Sequence, residues 1–246
     1  MTWLPTPDDV IKIHNELVSV FAAENDPISP PGVKTPELLE SACARALTSL
    51  EGVEKYPTLP EKMAAMFHSL TKNHAFHNGN KRTALVTLLS ALHRNDYRLR
   101  STVTDDDVYN LVVNVTADSF PHEDHGLSVD DVVQSLASWI RENIEHSPPR
   151  PRSMSLNEFI KRCEQAGART KPVKGGSISI LNGQASIKIS RSTRQLDGQA
   201  ILTYLRRLNL SESAAGLTAH EFQEGASPER DQIRRFISAL RRLAKT

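Results

Sequence analysis

The sequence predicts a helical N-terminal domain followed by a small α+β domain, and three observations predict it. Apolar residues recur at helical spacing through the first 145 residues. Residues 145–152 combine prolines and charges without periodicity, which is typical of a linker. Beyond them, two alternating runs flank Asn182-Gly183, a strong short-range signal of a β-hairpin. The predicted organisation is an all-α domain over 1–145, a linker over 146–153 and a basic α+β domain over 154–246.

The helices of the N-terminal part open on recognisable start signals. Thr6-Pro7, followed by two aspartates, supplies a capping hydroxyl, a first-turn proline and acids that suit the helix dipole. Thr35-Pro36 repeats this signal, Thr104 precedes three aspartates, and Ser128 has Asp131 three residues later. We expect the apolar faces of these helices to form the core. Those faces are Val10, Ile13, Leu17 and Phe21; Met63, Met66, Phe67 and Leu70; Leu85, Leu88, Leu89 and Leu92; Val108, Leu111, Val112 and Val115; Val133, Leu136 and Ile140.

The C-terminal part has a different character. Leu156 to Ala166 and Gln199 to Leu208 are predicted helices, and the runs 177–181 and 185–189 are the predicted hairpin strands. A last helix is predicted from about Ser227. We expect it to bury Ile233, Phe236, Ile237, Leu240 and Leu243.

The net charge of +1 conceals an asymmetry between the two parts. Residues 154–246 hold 16 Lys/Arg and 8 Asp/Glu, whereas residues 1–153 hold 14 and 21. This division favours two units with different partners. The basic part is expected to contact nucleic acid, or an acidic protein surface such as the N-terminal domain itself. A solvated surface is the alternative.

The sequence predicts a cytoplasmic protein with no membrane partner. No apolar run approaches the ~20 residues that span a bilayer. The first residues do not lead from a basic segment into an apolar one, as a secretory signal does. Two distant cysteines, Cys43 and Cys163, do not suggest a disulfide framework.

The run from 73 to 84 carries the residues with the most chemistry. It lies between two predicted helices, so its loop sits over a helix N-terminus, where free N–H groups and the helix dipole favour phosphate. Gly79 lets the backbone turn and approach a ligand, while Lys81 and Arg82 add positive charge. His74 is a base that works near neutral pH. By themselves, these residues fit either an anion site beside a titratable group or a helix–loop–helix with a polar surface.

This run resembles the signature of the Fic/Doc family, H-x-F-x-[DE]-[GA]-N-[GK]-R. The lysine and the following Thr83-Ala84-Leu85 resemble the Doc (death-on-curing) branch, as does the order of helices from about Leu4 to Glu145. The matching positions of the signature are His74, Phe76, Gly79, Asn80, Lys81 and Arg82.

The resemblance implies a transferase and a role for each matching residue. His74 would take a proton from a hydroxyl of the target protein, Phe76 would anchor the loop in the core, and residues 79–82 would cradle phosphate. In Fic enzymes the hydroxyl attacks the α-phosphate of ATP, and AMP is transferred. In Doc the nucleotide lies reversed, and the γ-phosphate goes to a threonine of elongation factor Tu. Lys81 favours the Doc-like reaction, because a side chain replaces a glycine where a phosphate would lie.

The resemblance also implies substrates and partners, and this chain departs from the family at two positions. The implied partners are ATP or another nucleoside triphosphate, Mg²⁺, a target protein such as a translational GTPase, and an antitoxin. At the position where the family has an acidic metal ligand, this chain has Asn78, whose neutral amide is a poor ligand for a hard dication. We therefore expect Mg²⁺ to be bound weakly or held largely by the nucleotide phosphates. The second arginine of Fic enzymes is Leu85, which argues against AMP transfer.

The order of elements in the basic part resembles, over a short stretch, the double-stranded-RNA-binding-like fold of HicA toxins. The residues that carry this likeness are Asn157 to Gly167 and Gly175-Gly176-Ser177. Ile178 stands at the position of the HicA catalytic histidine, so ribonuclease activity is not implied. The alternative function of the chain is therefore a non-catalytic or weakly catalytic Fic scaffold, whose basic domain binds nucleic acid or a protein. The residues of its predicted phosphate-binding face are Lys171, Lys174, Lys188, Arg191, Arg194, Arg206 and Arg207.

Overall fold

The chain divides into two compact units. Unit 1 comprises Met1–Ser147 together with Glu229–Thr246, and unit 2 comprises Pro148–Pro228. The first boundary lies within the predicted linker. The second differs from the prediction: the last 18 residues belong to unit 1 rather than to a domain over 154–246, because their apolar face joins the core of unit 1. The computed structural model describes residues 2–121, 127–146, 153–173, 175–210, 222–223 and 228–246, without the side chains of residues 228, 230 and 231.

The elements are labelled here in chain order. The described helices are α1 (Pro7–Phe21), α2 (Pro36–Arg45), α3 (Leu59–Lys72), α4 (Asn80–Arg94), α5 (Asp105–Thr116), α6 (Val129–Asn143), α7 (Leu156–Gln165), α8 (Gly198–Arg207), α9 (Pro228–Arg235) and α10 (Ile237–Leu243). The described strands are β1 (Ser49–Leu50), β2 (Val53–Glu54), β3 (Tyr97–Leu99), β4 (Ile144–His146), β5 (Met154–Ser155), β6 (Arg169–Val173), β7 (Ser177–Asn182), β8 (Ala185–Ser190) and β9 (Gln195–Leu196).

The helices of unit 1 begin where the predicted caps lie. Capping boxes, in which the cap hydroxyl and the acid three residues later bond each other's backbone N–H, open α1, α5 and α6 as expected. A further box, from Thr58 and Glu61, opens α3. Helix α2 begins at Pro36 as predicted, but Thr35 makes no side-chain cap bond.

Among its described residues, unit 1 is helical with two short β pairs that the sequence did not predict. Strand β1 pairs with β2, and β3 pairs with β4, both antiparallel. The second pair ties the segment after α4 to the end of α6. Strands of two or three residues show no alternating pattern that could reveal them in a sequence.

Helices α3 and α4 form the centre of unit 1. Helix α3 packs against α2, α4, α5 and α6, and α4 packs against α1 and α5. All the apolar faces predicted for residues 10–140 are buried, which confirms them. The loop that joins α3 to α4 is therefore fixed between two central helices. Within the described ranges, no helix combines the length and apolarity needed to cross a bilayer.

The described elements of unit 2 follow the order β5–α7–β6–β7–β8–β9–α8, with the antiparallel sheet β6-β7-β8 and the antiparallel pair β5-β9. The predicted hairpin is confirmed: β7 and β8 meet around Asn182 and Ala185, and Gly183 takes a φ of 56° in the turn. Strand β6 was not predicted, because its charged residues and Pro172 hide the alternation. The likeness to HicA stays a prediction. The core of unit 2 includes Phe159, Cys163, Ile180, Ile187, Ile201 and Leu205.

Candidate active site

The candidate site lies on the loop between α3 and α4. His74 has a φ of 49°, in the left-handed region that few non-glycine residues adopt, and its side chain is exposed. Gly79 has a φ of 76° and caps α4 without a side chain. The first N–H groups of α4 have no partner in the helical ladder, so they face the loop as anion donors.

Asn80 fixes the shape of this loop. Its Oδ1 accepts from the backbone N–H of Phe76 at 2.9 Å, and its Nδ2 donates to the carbonyl of Phe76 at 2.9 Å. The ring of Phe76 is buried beneath the loop and stacks on the ring of His14, with centroids 4.2 Å apart. In this structure the amide of Asn80 holds the loop together rather than pointing at a ligand.

A neighbouring segment, residues 28–35, pairs with the loop from the other side. His77 donates its backbone N–H to the carbonyl of Gly32 at 3.1 Å, and Lys34 donates to Ala75 at 2.8 Å. Asn78 donates from Nδ2 to the carbonyl of Ser29 at 2.9 Å. The loop is therefore held by backbone pairing as well as by its own side chains.

His14 lies beneath the site, and sequence reasoning missed it. Its Nε2 lies 3.0 Å from the N–H of Gly32, and its Nδ1 lies 3.0 Å from the hydroxyl of Thr83. Because Nε2 accepts, the neutral ring carries its proton on Nδ1 and donates it to Thr83. Burial, with a further contribution from the charge of Arg82, lowers the pKa of His14 from 6.5 to about 4. His14 therefore joins α1, α4 and the 28–35 segment as a neutral residue.

The two cations of the signature have different surroundings. Lys81 is half-buried, and its Nζ donates to the backbone oxygen of Thr246 at 2.6 Å. Arg82 is 2% exposed, donates to the carbonyl of Asp26 at 3.1 Å and lies 4.8 Å from the centroid of the Phe21 ring. Burial lowers the pKa of both side chains. Lys81 is thus the cation at the surface of the site, whereas the guanidinium of Arg82 is engaged with the segment that follows α1.

A cavity of about 190 Å³ brings most of the predicted residues together. The exposed imidazole of His74, the N-terminus of α4 and Lys81 all line this cavity. The helix N-terminus and the lysine can bind an anion, and the imidazole can accept a proton beside it. Phe76 lies below it in the core. The lining residues are His74, His77, Asn78, Gly79, Asn80, Lys81, Arg82, Leu243, Ala244 and Thr246.

Asn78, at the family's metal-binding position, is poorly suited to act as a ligand for Mg²⁺. The Oδ1 of Asn78 accepts from the N–H of Gly79 at 2.6 Å, so the atom that would bind a metal is used within the loop. No cluster of three His, Cys, Asp or Glu side chains suited to a metal occurs in the described part of the chain. Mg²⁺ favours carboxylate and phosphate oxygens, and the loop offers no carboxylate at this position.

Three contributors to the site were not predicted: His14, the 28–35 segment and the last residues of the chain. A lone histidine on the apolar face of α1 looks like an ordinary core residue. The pairing of residues 28–35 runs through backbone atoms, which leave no side-chain pattern. The prolines at 30 and 31 were a signal of irregular structure, but they do not name a partner.

Comparisons with known proteins point to the same segment. The model of the Fic/DOC family matches residues 4–92, which contain α1 to α3, the whole loop and α4 as far as Leu92. The chain is 40% identical over 78 residues to "Toxin Doc" of Mycolicibacterium smegmatis, a match that covers 32% of this chain and 60% of that protein. Over residues 4–92 the chain is therefore similar to the Fic/DOC family, and its match spans 60% of the length of this relative.

Proposed function

We propose that the Fic/Doc domain is a Doc-like, toxin-type transferase that uses a nucleoside triphosphate such as ATP to phosphorylate a hydroxyl of a target protein. The observation that carries the proposal is the shared cavity of His74 and Lys81 at the N-terminus of α4. A base, a cation and free N–H groups beside one another suit transfer of a phosphoryl group. The match to a protein named Toxin Doc supports the toxin-type role.

The proposed reaction is an in-line displacement at phosphorus. His74 takes the proton of the target hydroxyl as its oxygen attacks the γ-phosphorus. The bond from that phosphorus to the β–γ bridging oxygen breaks, and ADP leaves with the electron pair. Lys81 and the first N–H groups of α4 stabilise negative charge on the phosphates. Transfer of AMP, with attack at the α-phosphorus and loss of pyrophosphate, is the less favoured reaction because Lys81 occupies the glycine position.

Metal binding is proposed to depend on the nucleotide. Asn78 supplies no carboxylate, so Mg²⁺ would be held mainly by phosphate oxygens. The steps assigned here to His74 and Lys81 do not require a protein ligand for the metal.

The proposed target is a translation factor, in keeping with the resemblance to Doc, and the proposed compartment is the cytoplasm. An antitoxin that binds this chain is the partner expected of a toxin-type protein.

A second candidate function, a binding module, is favoured by the sheet of unit 2. Lys171 and Lys188 lie on the two outer strands opposite Ser179, and both are exposed. Arg169, two residues from Lys171, lies on the same face. Three cations on one sheet face suit the phosphates of a nucleic acid.

Growth upon expression separates the two candidates. The wild type, His74→Ala and Lys171→Gln/Lys188→Gln forms are expressed at equal levels. The transferase proposal expects growth arrest by the wild type and the lysine variant, and none by His74→Ala. Arrest that survives His74→Ala but disappears in the lysine variant would favour the binding module instead.

A further inference from the structure

The three-stranded sheet of unit 2 has one face that its helices cover and one face that they leave open. Ile180 of β7 and Ile187 of β8 are buried in a core to which α7 and α8 also contribute. Thr170 of β6 lies on the same side, because its hydroxyl donates to Glu164 of α7. Successive side chains of a strand alternate between the two faces of a sheet. The open face therefore consists of the odd-numbered residues of β6 and β7 and the even-numbered residues of β8.

The open face is basic and rich in hydroxyl groups. Lys171 of β6 and Lys188 of β8 flank Ser179 of the central strand, and Arg169 lies two residues from Lys171. All three cations are exposed, and the ion pairs within the described part of unit 2 do not engage them. The other residues of this face are four serines and two aliphatic residues, with no carboxylate and no aromatic ring in the three strands on this side. The face is thus complementary to an anionic partner.

The phosphate-binding residues predicted from the sequence do not all lie on the open face. Arg206 and Arg207 end α8, which packs on the covered side of the sheet, and both are exposed there. Lys171 and Lys188 are the predicted residues that the open face brings together, and Arg169 joins them although the sequence did not single it out. The remaining predicted residues are Arg191 and Arg194, which follow the end of β8, and Lys174, which lies outside the described residues.

The shape of the open face favours one kind of anionic partner. Neighbouring strands lie ~4.8 Å apart, so the cations of the two outer strands stand on lines ~10 Å apart, with the serines of β7 between them. Such a surface fits two rows of phosphates that border a wide and shallow groove. The minor groove of an RNA duplex is wide and shallow and displays 2′-hydroxyls.

Other nucleic acids fit the open face less well. The grooves of a B-DNA duplex are read by an inserted helix, ribbon or arm, whereas this surface is the broad face of a sheet. Proteins that bind single strands stack the bases on aromatic side chains, and the three strands present none on this side. Unit 2 as a whole holds 12 Lys/Arg and 6 Asp/Glu, a balance that attracts a polyanion from a distance.

We infer that the open face binds double-stranded RNA across its minor groove, through phosphates and 2′-hydroxyls and without reading the base sequence. The inference rests on the second candidate function, the binding module, because it names the partner of the same sheet. It does not depend on phosphoryl transfer by the loop of His74, so both activities can belong to one chain.

The test measures binding of the full chain to a short RNA duplex, to the DNA duplex of the same sequence and to one RNA strand alone, at several salt concentrations. The first variant is Lys171→Gln/Lys188→Gln. The matched control is Arg206→Gln/Arg207→Gln, which removes the same charge from the covered side of the sheet. Circular dichroism checks the fold of each form.

We expect the wild type to bind the RNA duplex about tenfold more tightly than the DNA duplex or the single strand, because the 2′-hydroxyls of the duplex add hydrogen bonds. The lysine variant should bind the RNA duplex roughly tenfold more weakly at low salt, and its slope of log affinity against log salt should be shallower by about two. The control should stay within about twofold of the wild type, since its lost charges lie away from the contact and are screened.

A third variant, Ser177→Ala/Ser186→Ala, tests the hydroxyl contacts by themselves. It removes two hydroxyls of the open face and no charge. We expect it to reduce the preference for RNA over DNA severalfold and to leave the salt slope unchanged.

The possible failures are distinguishable. Equal affinity for the two duplexes, weakened by the lysine variant, would overturn the inference and leave the binding module standing. Equal losses in the lysine variant and its control would also overturn it, because binding would then depend on overall charge rather than on the open face. Binding of the single strand alone would exclude a duplex partner. No binding to any of the three nucleic acids would remove the binding module and the inference with it.

Discussion

Two histidines near the loop differ in burial, and this difference gives one a chemical role and the other a structural role. His74 is exposed in the cavity, where it can exchange protons with a substrate. His14 is fully buried, and both of its ring nitrogens are occupied by hydrogen bonds. The first suits a general base and the second a fixed structural link.

Replacement of His74 by alanine is expected to lower the rate of transfer by ~10²–10⁴, the usual worth of general acid–base catalysis. The side chain is exposed, so the melting temperature should change little. His77→Ala is the matched control, because His77 is exposed in the same cavity. Single-turnover labelling measures the transfer rate of both variants. Equal losses for the two variants would contradict the assignment of the base.

Replacement of Asn78 by aspartate is expected to make the reaction more dependent on Mg²⁺, because a carboxylate is a better ligand for it. The same change removes the donor to Ser29, which should lower stability by about 1 kcal/mol without metal. The transfer rate as a function of Mg²⁺ concentration measures the first effect, and urea unfolding measures the second. Asn78→Ala serves as the control that loses the donor without gaining a carboxylate. Identical Mg²⁺ curves for all three forms would contradict the account.

Acid is expected to weaken unit 1 through His14. Its folded pKa of about 4 lies below the ordinary 6.5, so the folded state binds fewer protons than the unfolded one. Stability is therefore full above about pH 6.5 and declines as the pH falls towards 4, by on the order of 3 kcal/mol. His68 is also buried, with a pKa lowered to about 4, and contributes in the same direction.

The neutral variant His14→Gln should flatten this decline without abolishing it, because His68 still titrates. Urea unfolding of the wild type and the variant between about pH 7 and pH 5 measures the difference. The variant should unfold more easily at neutral pH, since the imidazole bonds to Gly32 and Thr83 are altered. A decline as steep as that of the wild type would show that His14 is not the titrating group.

At the scale of single elements, the start of α4 depends on a glycine. An added Cβ at Gly79 would lie 3.0 Å from Cδ1 of Ile28, and its φ of 76° disfavours any side chain. Gly79→Ala should therefore lower stability and loosen the loop that holds His74. Gly52→Ala is the matched control: its φ is 81°, and nothing lies within 4 Å of the added Cβ.

Both alanine variants should lose about 1 kcal/mol to the backbone conformation. Only Gly79→Ala should lose more through its contact with Ile28, and only it should slow transfer. Thermal unfolding and the labelling rate measure these effects. Equal destabilisation with unchanged transfer in both would mean that the close approach of Ile28 is unimportant.

The sequence predicts the elements that have local signals. Capping residues and apolar faces marked α1, α2, α5 and α6, and Asn182-Gly183 marked the hairpin. Contacts between distant segments have no such signal. The stacking of His14 on Phe76 and the backbone pairing of residues 28–35 arise only when the chain folds.

At the scale of the whole molecule, the position of the last helices shows that the basic residues of the C-terminal part are divided between the two units. The basic residues beyond 228 lie on unit 1 and not, as the sequence predicts, in a domain over 154–246. Arg241 and Arg242 pair there with Glu24 and Asp106. These two pairs concern the last helix alone, and docking of the basic part as a whole on an acidic surface stays a prediction.

The two compact units are expected to unfold separately. Phe159 is fully buried in the core of unit 2, so Phe159→Ala should cost that unit ~3–5 kcal/mol. Calorimetry should show one transition shifted to lower temperature and one unchanged, with transfer activity retained. A single transition that shifts as a whole, with loss of activity, would show that the units unfold together.

The most direct test of the central claim is the fate of labelled phosphate. The purified chain is incubated with cell lysate and with ATP labelled either at the γ- or at the α-phosphorus, beside its His74→Ala form. We expect γ-label, and not α-label, on a lysate protein, and no such label with His74→Ala. Label from α-ATP alone would replace phosphorylation by AMP transfer. No label from either nucleotide, or γ-label that survives His74→Ala, would contradict the claim that this loop is a phosphoryl-transfer site.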